Sequence, residues 1–115
     1  MTADFRKRYL NYDELTAILE SWTSTYPDIT RLRSIGKTAE GRELWLLTIG
    51  FQPDETKPAV WIDGNMHAAE LCGSSVALAI AEDIINLHVS DIVPQGMSAP
   101  VCDALRDVHF YVLPR

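Results

Sequence analysis

An α/β fold built on a mixed sheet is what this 115-residue sequence predicts, on three observations. Two strand-like segments separated by a glycine-flanked polar link predict an antiparallel hairpin. Further on, an apolar strand pattern, a long helix pattern and a second strand pattern follow one another, the order that produces a crossover between parallel neighbours. Finally, 47% hydrophobic and 23% charged residues make an ordinary globular composition, enough for one core at this length.

The elements follow in order. Asn11 with Glu14 three residues later predicts a capped helix start, because an Asx side chain accepts a backbone N–H while the Glu reaches back. Leu15, Ile18, Leu19, Trp22 and Tyr26 then recur at helical spacing until Pro27 stops the run. Residues 30–35 and 43–49 read as strands, and the link flanked by Gly36 and Gly41 favours positive φ at a glycine. Residues 52–57, followed by Pro58, form a polar connector into the apolar run 59–63, which suits a buried strand. The next helix, 71–87, is expected to bury Val76, Ala77, Ile80, Ala81, Ile84 and Leu87, with Gly73, Ser74 and Ala77 small enough for close approach to a sheet. Residues 89–99 are a turn-rich loop, 100–106 one or two helical turns, and 108–113 a last strand. Trp22, Trp45 and Trp61 all fall in periodic segments and read as core.

Charge and hydropathy exclude several functions. A formal net charge of −6 argues against nucleic acid and anionic membranes as partners. No apolar run reaches the roughly 20 residues of a bilayer span, since Gly73, Ser74, Ser75, Glu82 and Asp83 interrupt the longest. Arg6, Lys7 and Arg8 are basic but precede no apolar segment, so no secretory signal is visible and cytoplasmic residence is the default expectation, with secretion left open. Cys72 and Cys102 read as small buried thiols; a disulfide, or Cys72 as a metal ligand, are the sharper alternatives.

The chemistry gathers in Asp63-Gly64-Asn65-Met66-His67-Ala68-Ala69-Glu70, between the apolar strand and its helix. A neutral imidazole and a carboxylate three residues apart on an irregular link can converge on one zinc ion. With three His and seven Glu in the chain, chance produces such a spacing about one time in five, so position has to carry the signal. Position does: ligand sites of open α/β sheets gather beyond the carboxyl ends of the strands. The bland alternative has His67 bonded to a backbone carbonyl and Glu70 charging the first turn of the helix. Asp63 is a lesser candidate, as a carboxylate orienting the His67 ring. His88 reads as a C-terminal cap helped by partial charge, and His109 as a strand residue making one hydrogen bond.

Upstream stands Gly36-Lys37-Thr38-Ala39-Glu40-Gly41-Arg42-Glu43-Leu44. This hairpin string, a short hydrophobic strand and a Gly-x-x-His-x-x-Glu loop, in that order, resemble the carboxypeptidase A-like zinc metallocarboxypeptidases. The resemblance runs from about Tyr9 to Arg115 and covers only the opening third or so of such a catalytic domain. It implies a three-layer α/β/α architecture of which residues 1–115 form the N-terminal part, with 1–8 flexible. It implies Zn2+ as cofactor, His67 as the first histidine ligand and Glu70 as the glutamate of a two-His, one-Glu set. The second histidine, the carboxylate-binding arginines, the substrate-capping tyrosine and the general-base glutamate are expected beyond Arg115. No catalytic residue is therefore assigned within the chain, and Arg42 and Arg115 match none of the family's carboxylate-binding arginines. The implied reaction of a complete domain is hydrolysis of a C-terminal peptide bond, with a peptide or protein C-terminus as substrate. An N-acyl amino-acid deacylase and a non-catalytic packing module are the alternatives, and the short chain alone is expected to be inactive, with an unpaired sheet edge prone to self-association.

Overall fold

Asn11 opens helix α1 (Tyr12–Thr25) with both halves of a capping box. Its side chain accepts from the Glu14 N–H at 2.8 Å, and the Glu14 carboxylate accepts from the Asn11 N–H at 3.1 Å. The structure is a computed structural model and describes residues 4–90 and 92–115. α1 buries Leu15, Ile18, Leu19 and Trp22 on one side. Of the segment 1–8 expected to be flexible, residues 1–3 lie outside the described residues, and Phe5 sits in the core with its ring edge-on to Trp22.

Strands β1 (Thr30–Lys37) and β2 (Glu43–Ile49) form the expected antiparallel hairpin, running from the pair Thr30↔Ile49 to Lys37↔Glu43. β1 continues two residues past its expected end, with a register irregularity between Ser34 and Lys37. Gly41 supplies the positive φ of the turn, at 85°. The Arg42 guanidinium pairs with Glu40 and lies 5.9 Å from the centre of the Tyr12 ring. Arg115 donates to the Leu10 carbonyl at 3.1 Å.

The chain then forms β3 (Ala59–Asp63), α2 (Cys72–Val89), α3 (Ala99–Arg106) and β4 (His109–Leu113). β4 lies between β2 and β3, giving the order β1-β2-β4-β3, antiparallel to β2 and parallel to β3. The sheet is therefore mixed, as the alternation of elements predicts. Leu47, Ile49, Phe110 and Val112 line one face, against α1 and against Ala77, Leu78, Ala81 and Ile85 of α2. Of the three-layer arrangement, the described residues thus form the sheet and one helical layer.

Three expectations about burial are corrected. β3 is an edge strand and largely exposed, because β4 pairs along one side of it and no described strand along the other. Trp61 is consequently 52% exposed, on the sheet face away from the helices beside Tyr111, whereas Trp22 is buried and Trp45 packs against the core. α2 buries Ser74, Ala77, Leu78, Ala81, Ile85, Leu87 and His88, leaving Val76 and Ile80 exposed. α2 is also, by length and composition, apolar enough to cross a membrane, contrary to the reading from its interruptions. Here its buried stripe is used against the sheet, and its Glu82 and Asp83 both bond Arg6 at 3.0 Å.

Candidate metal centre

β3 ends at Asp63, and Gly64 immediately ties the next loop to the neighbouring strand, its N–H donating to the Leu113 carbonyl at 3.0 Å. Two successive turns shape that loop. The Glu70 N–H donates to the His67 carbonyl at 2.9 Å, and the Gly73 N–H to the Glu70 carbonyl at 3.1 Å. The first turn brings the His67 and Glu70 side chains together, with Nδ1 and Oε1 2.8 Å apart. A carboxylate oxygen accepts, so Nδ1 donates to it in this contact. The two side chains are 70% and 59% exposed, at the carboxyl end of the parallel pair β3 and β4.

Neither half of the bland alternative is observed. His67 bonds a carboxylate rather than a carbonyl, and Glu70 precedes α2, whose first turn contains no acidic residue. Asp63 does not orient the His67 ring; its Oδ2 accepts from the Trp61 indole N–H at 2.7 Å. Both cysteines are free, with Cys102 buried as expected and Cys72 exposed, so the buried reading fails for Cys72 because the start of α2 faces solvent. Among the described residues no group of three or more His, Cys, Asp and Glu side chains is placed to hold a metal, so Cys72 does not complete the pair.

The other two histidines are structural. His109 donates Nε2–H to the Phe51 carbonyl at 2.8 Å, the single hydrogen bond expected of it. His88 donates Nδ1–H to the Ile84 carbonyl in the last turns of α2, but it is buried, and burial pushes its pKa below the usual histidine value, with Arg106, His109 and Lys57 adding to the effect. That shift favours the neutral imidazole, so the contact with Ile84 rests on the hydrogen bond more than on a charge at the helix end.

The donor pair suits zinc. Imidazole nitrogen and carboxylate oxygen are both common zinc ligands, and legs of about 2.0–2.2 Å at a tetrahedral angle set such atoms about 3.4 Å apart. An opening of about half an ångström, with the imidazole proton on Nε2 instead of Nδ1, would take the 2.8 Å contact to that spacing. Sequence reasoning missed how the loop is held. Gly64 has no positive φ and packs closely against Gly73. Asn65 adopts φ 57°, and its Oδ1 is buried with no partner among the described residues. Glycines on both sides of the His67–Glu70 segment were the available signal.

Residues 15–115 match the zinc carboxypeptidase family model. Carboxypeptidase B of Astacus astacus is 36% identical over 106 residues, covering 92% of this chain and 31% of that protein. Carboxypeptidase M of Mus musculus is 33% identical over 87 residues, covering 73% and 20%. Among solved structures, carboxypeptidase A of Helicoverpa armigera superposes with a TM-score of 0.77 at 20% identity, covering 96% of this chain and 25% of that one, which shows the fold. The chain spans about a third or less of the length of these relatives.

Proposed function

Because the chain belongs to the zinc carboxypeptidase family, we propose that its protein hydrolyses the C-terminal peptide bond of peptides or proteins, using a zinc ion held in part by His67 and Glu70. The observation that carries this reading is the 2.8 Å contact between an imidazole and a carboxylate, both accessible, just beyond the carboxyl ends of two parallel strands. Zinc, when bound, polarises a carbonyl and acidifies water. The residues here do the holding. His67 would bind through Nδ1 as the neutral tautomer with its proton on Nε2, the Glu70 carboxylate would contribute charge and an oxygen donor, and the paired turns at Glu70 and Gly73 keep the two residues on one short loop.

Two donors are fewer than the three protein ligands of a catalytic zinc site, so the 115 residues alone should bind zinc weakly and hydrolyse no peptide. Calorimetric titration with zinc tests the assignment. His67→Ala and Glu70→Ala should each weaken binding by more than the roughly 10- to 100-fold typical of residues that only support a ligand. A His67→Ala chain that binds zinc as tightly as the parent refutes the ligand reading. Hydrolysis by the parent chain that persists in Glu70→Ala refutes the expectation of inactivity.

The edge strand supports a further reading for the isolated chain. Val60 and Trp61 are exposed on β3, whose outer side no described strand pairs, and such an edge favours association with a second copy. Sedimentation should show dimers or larger species that Trp61→Lys reduces; a strictly monomeric parent contradicts this.

A further inference from the structure

We infer that Gly64, Gly73 and Ser74 are positioning residues that clamp the two ends of the loop carrying His67 and Glu70, and so hold the pair ready for a metal. The inference rests on the reading of His67 and Glu70 as ligands. Every residue from Met66 to Cys72 is exposed, and Met66 is 77% so; no packing within the loop can set its shape. Beyond its two backbone turns, its ends carry that task. A Cβ built on Gly64 would stand 2.3 Å from the Gly73 carbonyl oxygen and 2.6 Å from its carbon, and one on Gly73 would stand 2.7 Å from the Asn65 nitrogen. These are backbone atoms, which cannot swing aside as a side chain would. Neither glycine has a positive φ, so the requirement is space and not dihedral freedom.

The clamp is anchored to the sheet. Ser74 is buried and donates its Oγ–H to the Pro114 carbonyl at 2.6 Å, while Gly64 N–H holds the Leu113 carbonyl. Both acceptors continue from β4, so the start of α2 and the end of β3 are fixed to one strand end, with the two candidate ligands on the span between. A methyl at Gly73 pushes on Asn65, two residues before His67, and the displacement falls on the exposed loop because the helix beyond Ser74 is packed. Gly→Ala inside a helix ordinarily favours the helix. Stability and zinc affinity should therefore separate.

Zinc titration of the 115-residue chain, beside thermal melting by circular dichroism, tests this. Gly73→Ala should melt near the parent yet bind zinc about 10-fold or more weakly, the range typical of residues that orient metal ligands. Ser74→Ala, which removes one anchor without adding bulk, should weaken zinc binding by a smaller factor. Ile85→Val, a core change remote from the loop, should lower the melting temperature and leave zinc affinity unchanged. A folded Gly73→Ala chain with parental affinity overturns the inference. If Gly73→Ala does not fold, Ser74→Ala decides: weaker zinc binding by a folded chain supports the clamp, and parental affinity overturns it. Failure of the ligand reading shows separately, as a His67→Ala chain that binds zinc like the parent, and the clamp falls with it.

Discussion

The two ends of α2 each carry histidine, in opposite settings. Beside its N-terminus His67 is exposed and bonded to a carboxylate. At its C-terminus His88, and near it His109, are buried and bonded to the carbonyls of Ile84 and Phe51. Among the described residues, each buried ring has one nitrogen without a partner, Nε2 of His88 and Nδ1 of His109. For His88 that arrangement suits a neutral imidazole, whose bare nitrogen is a lone pair, and penalises a charged one, whose second N–H would be stranded. The Phe51 ring lies 5.0 Å from His88, and Gly50 leaves room for His109, since a Cβ there would stand 2.5 Å from its ring. One end of the helix thus uses histidine to fasten the β2–β3 connection, while the other presents it to solvent with a second donor. The difference teaches that partner type and exposure, rather than residue type, separate the fastening histidines from the one proposed as a metal ligand.

The sharpest contrast is in stability. His109→Ala removes a fully buried ring and its only hydrogen bond, and should destabilise the chain by about 3 kcal/mol, cavity and lost bond together. His67→Ala should change stability by no more than about 0.5 kcal/mol, as exposed sites do, while removing zinc binding. Urea denaturation of both variants with and without zinc checks this, and a larger loss for His67→Ala would invert the comparison.

Acid should act mainly on the buried end. Burial, then the nearby positive charges of Arg106 and Lys57 and the ring of His109, holds the folded pKa of His88 below its usual 6.5. The unfolded chain then binds the extra proton first, so stability is fully present above about pH 6.5 and is lost as pH falls through the folded pKa. Denaturation midpoints measured from pH 7.5 downward should decline in the parent and flatten in His88→Leu. An unchanged slope in that variant would move the acid sensitivity elsewhere.

How far the sequence could be read follows the same divide between local and distant causes. α1 was legible because its cap, stripe and terminating Pro27 all lie within the segment. The hairpin and the mixed sheet followed from element order, and the His67–Glu70 contact from spacing on a strand-to-helix link. The buried face of α2 was not legible. Val76 and Ile80 are as apolar as Leu78 and Ile85, and what selects the face is where Ser74 meets Pro114 and Gly73 meets Asn65, forty and eight residues away in sequence. The exposure of β3 was hidden for a similar reason. An apolar run reports that a strand can be buried, but β4's place beside it, decided fifty residues later, leaves its other side open.

The mildest prediction sets Glu70, 59% exposed, against a less exposed carboxylate with a purely structural task, Glu14 at 29%. Glu14 accepts from the Arg8 guanidinium and from the Asn11 N–H, and these, Arg8 foremost, hold its pKa down at about 2 against an ordinary 4.5. The folded state therefore binds fewer protons than the unfolded one between those values. Its contribution to α1 is present above pH 4.5 and is lost as pH falls through about 2. Glu14→Gln keeps an acceptor for the cap but loses the charge facing Arg8, so it should flatten the stability profile below pH 4.5 and leave zinc titration untouched. Glu70→Gln should do the reverse, because its carboxylate faces a histidine on an open loop rather than a helix start. If Glu70→Gln changed acid stability as much as Glu14→Gln, the loop pair would be a structural fastening like those at the far end of α2.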